Sequence, residues 1–272
     1  MRRFGTVMLH VALVCAAIFS LAPMLWMVSA SFMPSGSANV FPPPLLPRDP
    51  TLEHYRTLFG QLAIGRYMLN SAIVATSATL LSLLVNSLAG YAIAKLRFRG
   101  RDSVHKIMGA ALLIPVQVTM LPLFLLLKQF GLVNSYWGAI IPSIATIFGI
   151  FLIRQYALGI PDDLLDAARV DGASEFRIYW SVVLPVIRPI LATLAIWTFL
   201  ASWNDFLWPL VVLTDDQRYT LPVALASLSG EHVQDTELMM AGAVVTVFPV
   251  VVVFLMLQRA YVQGVMVGSV KG

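Results

Sequence analysis

Residues 4–47 contain no Asp, Glu, Lys or Arg, and neither do residues 67–94, 107–127, 129–153 or 238–258. Residues 189–213 contain one, Asp205. A helix needs about 20 apolar residues to cross the roughly 30 Å hydrocarbon core of a bilayer. The charge-free intervals therefore predict six spans, at about residues 7–28, 68–94, 107–127, 137–153, 189–213 and 239–258. Barrel strands alternate polar and apolar positions over about 10 residues, and these intervals do not alternate. The expected fold is an all-α polytopic membrane protein, one transmembrane domain of residues 1–272 with six helices. The first interval begins like a signal peptide, with Arg2 and Arg3 ahead of it and Val28-Ser29-Ala30 resembling a cleavage site. A signal core is about 7–15 residues long, so the longer run here favours an uncleaved span. Pro23, Pro115, Pro122, Pro142, Pro209 and Pro249 lie inside the predicted spans, where each removes a helix hydrogen bond and permits a kink.

Composition agrees. The 272 residues are 58% hydrophobic and 12% charged, against about 45–50% and 25% in soluble domains. Disorder is excluded, because a disordered chain is polar. A disulfide scaffold and a cysteine-rich metal site are excluded too, since Cys15 is the only cysteine. His10, His54, His105 and His232 show no ligand spacing, so no metal site is expected. No Ser-His-Asp or paired-carboxylate grouping suggests catalysis, and nothing suggests a nucleic-acid partner. Of the 18 Lys and Arg, 13 fall on the side that carries both termini and 5 on the other. By the positive-inside rule both termini are expected in the cytoplasm. The loop of residues 31–66 then lies outside, stiffened by Pro42, Pro43, Pro44, Pro47 and Pro50.

The cytoplasmic segment 154–188 has an architecture of its own. Pro161 suits the first turn of a helix, and Asp162 and Asp163 favour its positive dipole end. Leu164, Leu165 and Ala168 form an apolar stripe, with Asp162, Asp166 and Arg169 opposite. Gly172 is placed to cap that helix, Ser174 to start a second, and Leu184-Pro185 to end it. Ala167 and Ala168 keep one face small, so another surface can come close.

Asp166-Ala167-Ala168-Arg169-Val170-Asp171-Gly172-Ala173, followed by Val182-Val183-Leu184-Pro185, resembles the EAA loop of ABC importer permeases. The family's Glu is Asp166 here and its Ile is Val182. Trp203-Asn204-Asp205-Phe206-Leu207-Trp208-Pro209-Leu210, Tyr219-Thr220-Leu221-Pro222 and the tail at residues 263–272 are similar to the sugar-type branch, that of the maltose transporter's second membrane subunit. The resemblance implies a bacterial or archaeal inner-membrane subunit that forms a pathway with a second permease subunit. It implies two ATP-binding subunits in the cytoplasm and an extracytoplasmic solute-binding protein. Asp166, Ala167, Ala168, Asp171, Gly172, Leu184 and Pro185 are then the residues that couple to the ATPases. This chain carries no cofactor in that reading. ATP and Mg belong to the partner subunits, because the chain has no G-x-x-x-x-G-K-[ST] loop to cradle phosphates.

Asp205 is the only acidic residue within a predicted span. Such charges usually face the bundle interior. Counted from Pro189 it lies about 24 Å along a helix of 1.5 Å rise. With Asn204 it lines an outer gate or holds the fifth span to its neighbours by hydrogen bonds. Asn70, Asn86, Gln117 and Thr119 are similar candidates, and Gln117 joins Asn204 and Asp205 as a pathway candidate. A sugar or oligosaccharide is the expected solute. Amino acids, peptides and glycerophosphodiesters stay open as alternatives within the same class, and a secondary transporter outside it. The tail's Gly264, Gly268 and Gly272 are expected to disfavour helix.

Overall fold

The computed structural model describes residues 2–231 and 235–269, and among them every regular element is a helix. In chain order these are α1 (Arg2–Ala30), α2 (Glu53–Gly60), α3 (Ile64–Lys95), α4 (Arg101–Ala111), α5 (Val116–Gln129), α6 (Tyr136–Ile144) and α7 (Ile147–Ala157). They continue with α8 (Asp162–Val170), α9 (Glu175–Ile178), α10 (Leu184–Trp203), α11 (Leu207–Val212), α12 (Leu221–Glu231) and α13 (Thr236–Ser269). Five stretches among the described residues are long and apolar enough to cross a membrane, and a sixth is reached by joining α4 and α5.

Four sequence expectations change here. The interval 107–127 is not one straight helix: α4 and α5 meet at 108°. Pro115 is the N-cap of α5 with extended backbone, and it ends α4 because a proline disfavours helical backbone at Ile114 before it and has no N–H to give. The interval 189–213 breaks after Trp203, and the apolar run continues only as short α11. Leu184-Pro185 does not end a loop helix. Pro185 sits in the first turn of α10, where a missing N–H is least harmful. The residues before it, Tyr179–Val183, form a π turn in which the Leu184 N–H reaches back to Tyr179. Finally, α13 runs through Ser269 despite Gly264 and Gly268, because about 1 kcal/mol per glycine is a weak preference; Gly272 lies outside the described residues.

The chain divides into two compact units, residues 1–66 with 224–249, and residues 67–223 with 250–272. In the first, Ala30, Met33 and Ala38 form a small buried cluster with Trp26 and Met240 against it. Buried Glu237 accepts the Ala38 N–H at 2.6 Å, and Thr236 donates to Asn39 at 2.8 Å. The start of α13 is thereby stitched to the loop after α1.

The second unit has two cores. One gathers Val74, Ala78, Ile140, Trp208 and Val212, with the Trp208 indole N–H on the Gly138 carbonyl at 3.0 Å. The other joins α3, α7, α8 and α10 through Tyr91, Ile153, Leu165, Tyr179, Val183 and Ile187. Intramembrane polar residues serve these contacts. Asn86 is fully buried, donates to Ser82 and Thr146, and accepts the Thr146 N–H at 3.0 Å. Asn70 donates to the Gln217 and Tyr219 carbonyls and accepts from the Tyr136 hydroxyl. Both act as fastenings between segments.

At Gly90, α3 crosses α7 so closely that an added Cβ would sit 2.8 Å from Cβ and Cγ2 of Ile153 and 3.0 Å from the Arg154 backbone nitrogen. Gly90→Val is therefore expected to push these helices apart, at about 1–3 kcal/mol for overpacking. Thermal unfolding in detergent should show a clearly lowered midpoint, with Gly90→Ala between it and wild type.

Candidate functional site

The segment between α7 and α10 is a rigid structure. α7 ends at Ala157, and the chain turns through Gly159 and Ile160 to Pro161, the N-cap of α8. Asp162 and Asp163 occupy the first turn of α8, where the free N–H groups favour negative charge. Its far end closes as a Schellman motif. Asp171 is the C-cap, Gly172 has φ +78°, the Gly172 N–H bonds to the Arg169 carbonyl and the Ala173 N–H to the Ala168 carbonyl, both at 3.0 Å. A Cβ on Gly172 would meet nothing within 4 Å, so glycine is needed for the backbone conformation and not for space. Ser174 then caps α9, accepting the Arg177 N–H.

Three charged side chains, Arg169, Glu175 and Lys95, fasten this piece. Arg169 donates to Asp166 at 2.6 Å and to Glu175 at 2.7 Å, bridging α8 and α9 across the glycine turn. Glu175 also accepts from the Tyr91 hydroxyl of α3 at 2.9 Å. Lys95, whose side chain is only 7% exposed, donates to the Ile160 carbonyl and to Asp162, both at 2.6 Å. That hydrogen bond holds the Asp162 carboxyl below the usual carboxylate range, and the Glu175 and Asp166 carboxylates raise the Arg169 pKa.

Burial sorts the faces of α8. Leu165 is buried and Ala168 half-buried against the core. Asp166, Ala167, Asp171 and Gly172 are exposed, as are Leu164 and, most of all, Val170 at 88%. The expected stripe is thus split: Leu165 and Ala168 face inward, and Leu164 faces out. Leu184 is half-buried and Pro185 exposed, both in the returning helix α10 and away from the glycine turn in sequence.

A cavity of about 540 Å³ lies in the same unit. Gln117, Ser143, Ser202 and Asp205 give it polar walls, and Phe148 and Trp197, with ring centroids 5.5 Å apart, give it an aromatic one. Gln117 and Asp205 are brought together here from α5 and the break after α10. One Asp205 oxygen also accepts the Trp208 N–H at 3.4 Å, capping α11. Asn204 does not line this cavity. It ends α10, and its amide donates to the Leu200 carbonyl.

Residues 86–267 match the family described as binding-protein-dependent transport system inner membrane component. The chain belongs to this family. It is 39% identical over 263 residues to the arabinooligosaccharides transport system permease protein AraQ of Halalkalibacterium halodurans, covering 94% of this chain and 93% of that protein. It is 34% identical over 274 residues to the diacetylchitobiose uptake system permease protein NgcG of Streptomyces coelicolor, covering 99% and 90%. A solved bacterial ABC transporter involved in the import of the acidic polysaccharide alginate contains a chain of TM-score 0.81 and 28% identity, covering 95% of this chain and 96% of that one. The all-α, multi-pass architecture of an ABC importer permease is thereby shown, and the family match contains the α8 segment and the cavity wall from Val116 to Pro209.

In this permease the residues singled out by the sequence from Asp166 to Gly172 lie on α8 and on the glycine turn that closes it. Sequence reasoning did not find what holds it. Tyr91 and Lys95 lie far from the loop in sequence and carry no local signal of their pairing. Glu175 was visible only as a residue six positions after Arg169, across a turn whose direction Gly172 sets.

Asp162 yields a pH prediction. Its pKa is lowered in the folded state, so its contribution is present above the ordinary carboxylate range and is lost as pH falls through the lowered value. Hydrogen exchange of α8 amides, corrected for intrinsic rates, should therefore hold steady from neutral pH to about pH 4 and accelerate below it. Asp162→Asn should show faster exchange already at neutral pH and a smaller change on acidification.

Proposed function

We propose that this permease imports a sugar or oligosaccharide, and that α8 is the element through which ATP-driven closure of partner ATPases reaches the membrane helices. The observation that carries the reading is the combination found at α8: an exposed small and apolar surface of Leu164, Ala167 and Val170 on a helix that its neighbours hold fixed. Such a surface fits a cleft, and such mounting passes force onward. Asp166, Ala167, Asp171 and Gly172 form this contact, Ala168 backs it from the core side, and Leu184 and Pro185 shape the helix that receives it. The solute class is supported by relatives whose names concern arabinooligosaccharides and diacetylchitobiose. It is also supported by a cavity that pairs aromatic rings with hydrogen-bonding groups, a combination suited to sugar faces and hydroxyls. Gln117 and Asp205 line the pathway in this reading.

The partners are a second permease subunit, two ATPase subunits that carry ATP and Mg, and an extracytoplasmic solute-binding protein. The chain itself hydrolyses nothing. Both termini and α8 face the cytoplasm in this reading, which the 13 to 5 distribution of Lys and Arg supports. In a background without Cys15, a cysteine at Asp216 should react with an impermeant thiol reagent added to intact cells. A cysteine at Arg177 should react only after the membrane is opened; labelling of Arg177 from outside would reverse the orientation.

Coupling is tested at Gly172. A β-branched side chain at φ +78° meets a clash of about 1–2 kcal/mol, which Val relieves by reshaping the turn and re-aiming α8. Gly172→Val should leave membrane levels near normal and lower solute uptake several-fold, with weaker retention of the ATPase subunits on purification. Gly172→Asn, which tolerates this conformation, should keep most activity. Wild-type uptake by Gly172→Val would show that α8 is not the coupling element.

A further inference from the structure

The loop between α1 and α2 carries an apolar surface that the described part of the chain does not cover. Phe41, Leu45 and Leu46 are 94%, 77% and 75% exposed. Water is a poor solvent for three such side chains together, so the question is what medium they meet.

Two hydrogen bonds locate them. The Trp26 indole N–H donates to the Pro44 carbonyl at 3.0 Å, and the Ser29 hydroxyl donates to the Leu45 carbonyl at 2.6 Å. Trp26 and Ser29 belong to α1, which ends at Ala30. At 1.5 Å per residue, Trp26 lies about 6 Å before that end. The loop therefore folds back beside the last turn of a membrane-spanning helix instead of standing beyond it. Its base is closed by the Thr51 N–H on the Phe32 carbonyl at 2.8 Å. Leu25 and Val28 of α1 are themselves exposed, and none of the most apolar stretch of α1 is buried within the chain. The apolar surface of the loop adjoins that of the span.

The backbone chemistry suits the same medium. Four of the eight residues at 40–47 are prolines, which have no N–H to strip of water. No charged residue occurs from 4 to 47, and Arg48 and Asp49 follow at once. Trp26 is the residue type that marks the membrane–water boundary, with its ring in apolar surroundings and its N–H on a polar group.

We infer that residues 40–46 are an interfacial anchor: Phe41, Leu45 and Leu46 insert into the headgroup–acyl boundary of the bilayer at the Ala30 end of α1. The occupant is lipid. The anchor fixes the depth and rotation of α1, a helix with few other fastenings in its own chain.

The test uses the complete transporter, with its partner subunits, in lipid nanodiscs that leave both faces accessible. In a Cys15→Ser background, Phe41→Cys, Leu45→Cys and Leu46→Cys each carry one environment-sensitive fluorophore, with Arg48→Cys as the reference. Because all three positions are exposed, these changes leave the packed parts alone. Lipids with a nitroxide near the headgroup should reduce emission from the three sites roughly twofold, and more than deep nitroxides do, as expected for a depth of about 5–10 Å. Aqueous iodide should quench them several-fold less than it quenches the Arg48 reference. Iodide quenching equal to that reference would place the loop in water and overturn the inference. Protection from both quenchers would overturn it equally, showing that another protein subunit covers the surface.

Discussion

The Lys95 side chain is almost enclosed, and two oxygens meet its amine, the Ile160 carbonyl and the Asp162 carboxylate. A charge removed from water is tolerated only with such partners, and both lie on the segment that leads into α8. One turn earlier on α3, Tyr91 reaches Glu175 at the start of α9. The last turn of a membrane-spanning helix thus holds both ends of the α8 segment. Without that hold, α8 would be a nine-residue helix on short connections, below the length at which isolated helices persist in water. With it, α8 shares the core of α3, α7 and α10.

The same logic recurs deeper in the chain. Asn86 and Asn70 are polar groups in apolar intervals, and each is bonded to partners outside its own helix. Hydrogen bonds between helices in a bilayer are modest in net energy, but an unpaired amide there is costly. These residues set which arrangement of helices is allowed more than they add to its stability. Gly90 acts on the same contact from the steric side, since α7 approaches α3 only where no Cβ intervenes.

The spans were legible in the sequence because charge is excluded from the bilayer core over many residues, a long-window signal. α8 and its glycine cap were legible because Pro161, the two acids after it and Gly172 each have a local mechanical meaning. The breaks were not legible. Pro115 and Pro122 look alike in sequence, yet one starts a helix at a sharp bend and the other lies within it. After Trp203 only Asn204 and Asp205 interrupt the apolar run, so the end of α10 leaves just a two-residue trace in hydropathy. Leu184-Pro185 read as a stop because proline ends helices, but proline opens them as readily. The cavity was foreshadowed by Gln117, Thr119 and Asp205. Its aromatic wall of Phe148 and Trp197 reads as ordinary span residues until the helices are folded together.

The absence of a stop at Leu184-Pro185 has a mechanical consequence. From Glu175 to Trp203 the chain is one continuous helical run of 29 residues, about 44 Å long at 1.5 Å per residue. Such a run is a lever arm. A tilt of about 5° imposed at the Glu175 end would sweep the Trp203 end through about 4 Å on that length, more than the diameter of a water molecule. Asp205 and the mouth of α11 lie two to four residues beyond that far end. The π turn at Tyr179–Val183 interrupts regular α-helical bonding close to the input end, where any bending acts over most of the arm and so sets how much of the stroke reaches Trp203.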